Sequence, residues 1–206
     1  MLGATKVGDR SLVVHTLGAV FGRRSFITAA GGRSGSMAAW QPLSVLNAEV
    51  RENPKSDLWR IGEVSAVYPL TGLRSDKKKS AISLFIAEVL YRGIRDVPDA
   101  DFYAWCEKSI LTLDSLEGNF ANYHLRWLLE LCSALGFAPA EGGLLPYAGD
   151  KLSALRALSG SFGEAMLFPM NGRARNETAD ILLQYLSACL ECRLEIKSLA
   201  VLAELF

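Results

Sequence analysis

The sequence predicts an α+β chain: a small unit of strands over residues 1–72, followed by an all-helical unit over residues 73–206. Three observations carry this. Short segments rich in β-branched and aromatic residues fill the first 70 positions, with turn residues between them. Beyond Pro69 the apolar period changes from two to 3.6. The charge changes as well. Residues 1–79 hold 12 Lys and Arg against 6 Asp and Glu, a net of +6, whereas residues 80–206 hold 10 against 16, a net of −6. The neutral total therefore conceals two opposite halves, and the basic one points to a polyanion partner.

"SLVVHTL" (11–17) and "RRSFITAA" (23–30) read as the first strands, turned by "VFG" (20–22), where Gly22 is free to take a positive φ. "GGRSGSM" (31–37) reads as a loop. "WQPLSVLNAEV" (40–50) and "LWRIGEVSAVYPL" (58–70) read as two more strands joined by "RENPKSD", with Pro42 confined to a strand start or an edge. Such a series suggests a small barrel or sandwich. Helices are expected at 77–94, 99–116, 119–135, roughly 151–167, 174–192 and 196–205. Asp76 and Asp99 stand where N-caps are needed, and Gly118, Gly136 and Pro139 act as stops. "GFAPAEGGLLPYAGD" (136–150) reads as a long irregular connection, and the unit boundary falls near residues 70–76.

The helix beginning at 77 raises an electrostatic question. Lys77, Lys78 and Lys79 fill its first turn, where the aligned peptide dipoles already place positive charge. Each lysine there costs roughly 0.3–1 kcal/mol unless something offsets it. A phosphate chain would do so, because a helix start offers free N–H groups to an anion.

Several chemistries have no support. There is no GxxxxGK[ST], no GxSxG and no HExxH. His15 and His124 are the only histidines and read as structural. The four cysteines, Cys106, Cys132, Cys189 and Cys192, read as free and mostly buried thiols of a reducing compartment. Cys189-x-x-Cys192 lacks the second close pair that a structural zinc takes. A hydrolase pair of Cys132 and His124 would be eight residues apart, about 12 Å along a helix, too far for a shared hydrogen bond. No apolar run reaches 18 residues, and "MLGATKVGDRSLVVH" is charged too early for a secretory signal.

Four stretches in order carry a family resemblance: "KVGDRSLVVHTLGAVFGRRSFI" (6–27), "GGRSGSMAAWQPLSVLNAEV" (31–50), "SDKKKSAISLFIAEVLYRGI" (75–94) and "LEIKSLAVLAELF" (194–206). The first carries a G-[DE]-x-S-x-x-V core, the second a loop before an x-Q-P-hydrophobic strand, and the last an I-[KR]-S-L-x-V-L-x-x-x-F helix. Together they resemble the RecO family of bacterial DNA repair proteins, closest to Bacteroidetes-type members. The resemblance implies an N-terminal OB-fold and a C-terminal helical domain, with no catalytic residues, metal or cofactor. It implies binding of single- and double-stranded DNA and annealing of complementary strands. It also implies two protein partners, RecR and the C-terminal tail of the single-stranded DNA-binding protein, loading of RecA, and a cytoplasmic, nucleoid-associated location without a membrane.

Under this resemblance the DNA-binding set is Arg10, Arg23, Arg24, Arg33, Arg60, Arg74, Lys77, Lys78 and Lys79, with Trp40, Trp59 and Tyr68 as stacking candidates. The helical unit would hold an apolar peptide end in a groove, with Arg126, Arg156, Arg173 or Arg175 beside its carboxylate. Three departures stand out. The family opens with a strand ending in G-I-V-L, and here Met1-Leu2 enters near its end, so the barrel is expected to lack most of that strand. The loop at 29–37 is usually richer in Arg and Lys. Some members carry a four-cysteine zinc site where this chain has "GFAPAEGGLLPYAGD". The competing reading is a non-enzymatic scaffold whose OB-like barrel binds peptides; a degraded copy with an exposed strand edge is a further one.

Overall fold

A computed structural model of the chain describes residues 1–29, 37–94, 98–139 and 141–206. It forms two compact units: Met1–Thr71 with Ile86–Glu107, and Gly72–Phe85 with Lys108–Phe206.

The first unit holds one five-stranded sheet: β1 (Gly3–Val7), β2 (Ser11–Gly18), β3 (Gly22–Ala29), β4 (Leu46–Arg51) and β5 (Trp59–Ala66), in the order β1-β2-β3-β5-β4. β1, β2 and β3 pair antiparallel as successive hairpins. Gly22 makes the second turn possible with a φ of +64°. β3 runs parallel to β5, and β4 returns antiparallel to β5 with an irregularity between Ala48 and Val50. Side chains alternate between faces. Leu12, Val14, Phe26 and Ile61 therefore share one face and form the core with Met1 and Trp40.

This α+β architecture agrees with the sequence reading, with corrections. β1 is a strand that the sequence reading does not include, and all five of its residues pair with β2. Residues 40–45 are not strand. Trp40 closes a 3-10 turn (Met37–Trp40) and Leu43 takes a φ of +60°, which bends the chain before β4 can start. The sheet is open, since no ladder joins β1 to β4 among the described residues. Two backbone hydrogen bonds do link their leading ends: Leu43 N donates to Met1 O at 2.8 Å, and Met1 N donates to Ser44 O at 2.9 Å.

The helices are α1 (Thr71–Ser75), α2 (Lys77–Gly93), α3 (Ala100–Ser115), α4 (Tyr123–Ala134), α5 (Glu141–Ala148), α6 (Leu152–Ser159), α7 (Phe162–Leu167), α8 (Gly172–Cys189) and α9 (Ser198–Leu205). Asp76 caps α2, accepting from Lys78 N and Lys79 N, and Asp99 caps α3 by accepting from Phe102 N. The expected helix at 151–167 is two. Gly160 is extended, and Ser161 with Glu164 forms a capping box that starts α7 anew. The expected irregular connection at 136–150 contains α5, despite Pro146.

In the second unit α4 is the buried axis, with Tyr123, His124, Leu125, Trp127, Leu128, Leu129, Leu131 and Cys132 all enclosed. Its two large polar aromatics are satisfied by one residue of α3. Tyr123 Oη donates to Ser109 O at 2.6 Å and Trp127 Nε1 to Ser109 Oγ at 3.2 Å. Gly72 is required where it stands, since a Cβ there would run into the Asp114 carbonyl.

Candidate nucleic-acid interface

The sheet unit carries Arg10, Arg23, Arg24 and Arg60 of the expected set, while Arg33 lies outside the described residues. They do not share one face. Consecutive strand residues point to opposite sides, so Arg23 and Arg24 part company on β3. Arg23 turns to the outer face, where Nη1 donates to Tyr91 O at 3.3 Å and the guanidinium lies 5.4 Å from the Tyr91 ring. His15, opposite Ser25 on that face, shares a 2.8 Å hydrogen bond with its Oγ and packs 4.7 Å from the same ring. Burial and then the Arg23 charge hold His15 below its ordinary pKa. Arg24 turns to the core side and lies 3.8 Å above the Trp59 ring. Arg10 is exposed in the β1–β2 turn.

Arg60 is exposed on β5, directly opposite Arg51 of β4. Arg51 was absent from the expected set. Only the strand register reveals it, because residues nine apart in sequence give no local signal of pairing.

The stacking candidates are largely committed elsewhere. Trp40 is 7% exposed and belongs to the core, so it is withdrawn as a stacking platform. Trp59 carries Arg24 on its ring and meets Phe21 edge-on at 5.4 Å. The Glu107 carboxylate accepts from the Tyr68 hydroxyl and raises its pKa.

The remaining expected cations belong to the helical unit. Arg74 is half-buried, and burial lowers its pKa against the opposing pull of Asp114. Lys77 is exposed. Lys78 is exposed with Nζ 4.9 Å from the Phe206 ring. Lys79 is 5% exposed: Nζ donates to Asp114 O at 2.8 Å and lies 5.4 Å from the Phe120 ring. The three lysines thus face less of a helix-start penalty than their sequence suggests. Asp76 supplies a carboxylate at that end, and two of the three ammonium groups have internal partners.

Among the four candidate carboxylate partners, Arg126 is held by Glu130 and by the carbonyls of Leu158 and Gly160. Arg173 pairs with Glu177 at 2.7 Å, and Arg156 is exposed on α6 and engaged. Arg175 differs. Its Nε donates to Asn122 Oδ1 at 2.9 Å, Nη1 to Phe206 O at 3.2 Å and Nη2 to Met170 O at 2.6 Å. Asn122 Oδ1 and Met170 O are neutral acceptors, Phe206 is the last residue of the sequence, and no Asp or Glu carboxylate pairs with Arg175 among the described residues. It lines a cavity of about 450 Å³ with Asn122, Met166, Phe168, Pro169 and Met170.

His124 is fully buried between Phe85 and Phe206, with neither ring nitrogen in hydrogen-bond geometry among the described residues. Burial first, then Arg175, push its pKa down to about 3, against a small opposing contribution from the Ala121 backbone. Burial pushes the Cys132 thiol up to about 12, so the Cys132–His124 pair offers neither a thiolate nor an accessible base. Among the described residues no three His, Cys, Asp or Glu side chains cluster as metal ligands, and no helix is long and apolar enough to cross a membrane.

No family model matches the chain. It is 32% identical to the DNA repair protein RecO of Phocaeicola vulgatus over 233 aligned positions, covering 100% of this chain and 96% of the relative. Its identity to the DNA repair protein RecO of Bacteroides fragilis is 35%, over 76% of this chain and 66%, just under two thirds, of that relative's length. To the RecO of Flavobacterium psychrophilum it is 27% identical, with 100% and 96% covered. With one relative above 30% identity matched along nearly its whole length, this chain belongs to the RecO family of DNA repair proteins.

Proposed function

We propose that the chain is a DNA repair protein that binds single- and double-stranded DNA through its sheet unit, anneals complementary strands and assists RecA loading together with RecR in the bacterial cytoplasm, at the nucleoid. The observation that carries this is the match to proteins named for DNA repair along nearly the full length of one relative. Two features support an OB-type barrel as the DNA-binding element. The strand order β1-β2-β3-β5-β4 needs only β1 beside β4 to close, and Met1 already bonds Leu43 and Ser44 ahead of β4. Exposed Arg10, Arg51 and Arg60 supply the positive charge.

The test is fluorescence anisotropy with a labelled single-stranded oligonucleotide at two salt concentrations. Phosphate contacts release counterions, so affinity should fall steeply as salt rises. Absence of binding at low salt would instead favour a peptide-binding scaffold.

The tail of the single-stranded DNA-binding protein is placed by this reading at the Arg175 cavity of the helical unit. Support comes from the Arg175 guanidinium beside an apolar wall of Met166, Phe168 and Pro169. A labelled acidic peptide with an apolar C-terminal residue should bind the full chain and lose about tenfold on Arg175→Lys, which keeps the charge but not the fork. Unchanged binding would move the tail to another site.

A further inference from the structure

Arg51 and Arg60 stand directly opposite each other in the antiparallel β4–β5 pair. Directly opposite residues share a face, with Cβ atoms about 4.5–5.5 Å apart, and like charges there are destabilising. Both side chains are exposed. Neither guanidinium has a hydrogen bond, ion pair or ring contact among the described residues. On the two strands, Glu49 stands at the irregularity between Ala48 and Val50, with its Cβ near Gly62, and Glu63 is exposed on β5; neither makes an ion pair with either arginine among the described residues. The adjacent connection, residues 52–58, carries Glu52, Lys55 and Asp57, all exposed and none ion-paired among the described residues, and is shaped by two local bonds, Lys55 N to Asn53 Oδ1 and Leu58 N to Ser56 Oγ. The neighbouring strand brings Ile27 beside Arg60, so no carboxylate enters from β3.

A cross-strand pair of unopposed arginines is a poor device for folding. It is a good one for an oxyanion, since two planar forks a few ångströms apart can each donate to one phosphate. We propose that Arg51 and Arg60 form a clamp for a single backbone phosphodiester of bound DNA, gripping it jointly on the outer face of β4–β5. This rests on the DNA-binding reading and deepens it. It adds Arg51 to the interface and treats the two arginines as one phosphate site instead of two.

A shared site has a signature that separate contacts lack. Binding of a labelled oligothymidylate to the full chain is measured across a salt series for the parent, Arg51→Ala, Arg60→Ala and the double variant. Each single variant should weaken binding roughly tenfold at low salt. Each should also flatten the plot of log affinity against log salt by about 0.7, the value of one phosphate on a single strand. The double variant should match the singles in both readings, because the same phosphate is lost only once. Thermal midpoints should be unchanged or raised in all three, since a repulsion is relieved.

Additive losses in the double variant would overturn the shared clamp in favour of two independent contacts. Variants that bind like the parent would overturn the clamp and leave DNA binding by the chain standing. A parent that fails to bind at low salt would sink both. A lowered midpoint in the single variants would show that the arginines serve the fold, which also overturns the proposal.

Discussion

In the helical unit Lys79 and Arg175 end on backbone carbonyls and an amide, whereas in the sheet unit Arg51 and Arg60 face each other with no acceptor among the described residues. The two regions assign different jobs to the same chemistry. Asp114 shows the first kind. Its carbonyl takes the Lys79 ammonium, its carboxylate takes Leu73 N at 2.8 Å, and it lies against Gly72, so one acid fixes the α1–α2 corner to α3. Asn122 does the same further on. It donates to the carbonyls of Ala165 and Phe168 and accepts from Arg175, tying α4 to the segments around α7 and α8. A buried cation with matched acceptors stabilises a fold; an exposed cation with none is free to meet a ligand. Counting positive charge does not separate these cases, but acceptors and burial do.

The strongest way to break this distinction is to reverse the charge of two lysines two residues apart. Lys79→Glu puts a carboxylate against the Asp114 carbonyl at a buried position. It should cost about 3 kcal/mol or more, a drop of about 10 °C in thermal midpoint for a chain of this size. Lys77→Glu places an acid at an exposed helix start, where the dipole favours it, so its stability should stay within about 0.5 kcal/mol of the parent or rise. Equal losses in the two variants, read by thermal denaturation, would mean that burial does not distinguish them.

Much of the fold was legible because its signals are local. The caps Asp76 and Asp99, the turn at Gly22 and the change of apolar period all act within a few residues, and each is where the sequence puts it. Even the break between α6 and α7 was written as Ser161-x-x-Glu164, though the apolar pattern alone runs straight through it. What escaped depends on partners far away in sequence. β1 is mostly exposed and forms only because β2 pairs with it. Trp40 reads as a ligand platform until the sheet closes over it. Of the candidate interface, the sequence names basic residues but not the sides they take, and it gives no reason to single out Arg51. Arg23 and Arg24 are neighbours in the chain and face opposite ways, while Arg51 and Arg60 are nine apart and face each other.

The two histidines sharpen the comparison at smaller scale. His15, in the sheet unit, has a Ser25 hydroxyl for its ring and is half-buried. His124, in the helical unit, is buried with neither ring nitrogen in hydrogen-bond geometry among the described residues. Its native pKa is about 3, against an unfolded value near 6.5. Between those two values the unfolded chain binds a proton that the native protein refuses. Stability is therefore intact above about pH 6.5 and falls as pH drops through the window, by about 1.4 kcal/mol per pH unit from this one group. His15 is also lowered and contributes in the same direction. Leucine at position 124 keeps an apolar body between Phe85 and Phe206 and removes the titration. Urea unfolding of His124→Leu between pH 7 and pH 5 should give a plot of stability against pH flatter than the parent's, by about 2 kcal/mol in total at pH 5. The residual slope would belong to His15 and the carboxylates. If the two plots run parallel, His124 takes up its proton in the native state as readily as in the unfolded chain, and burial does not hold it neutral.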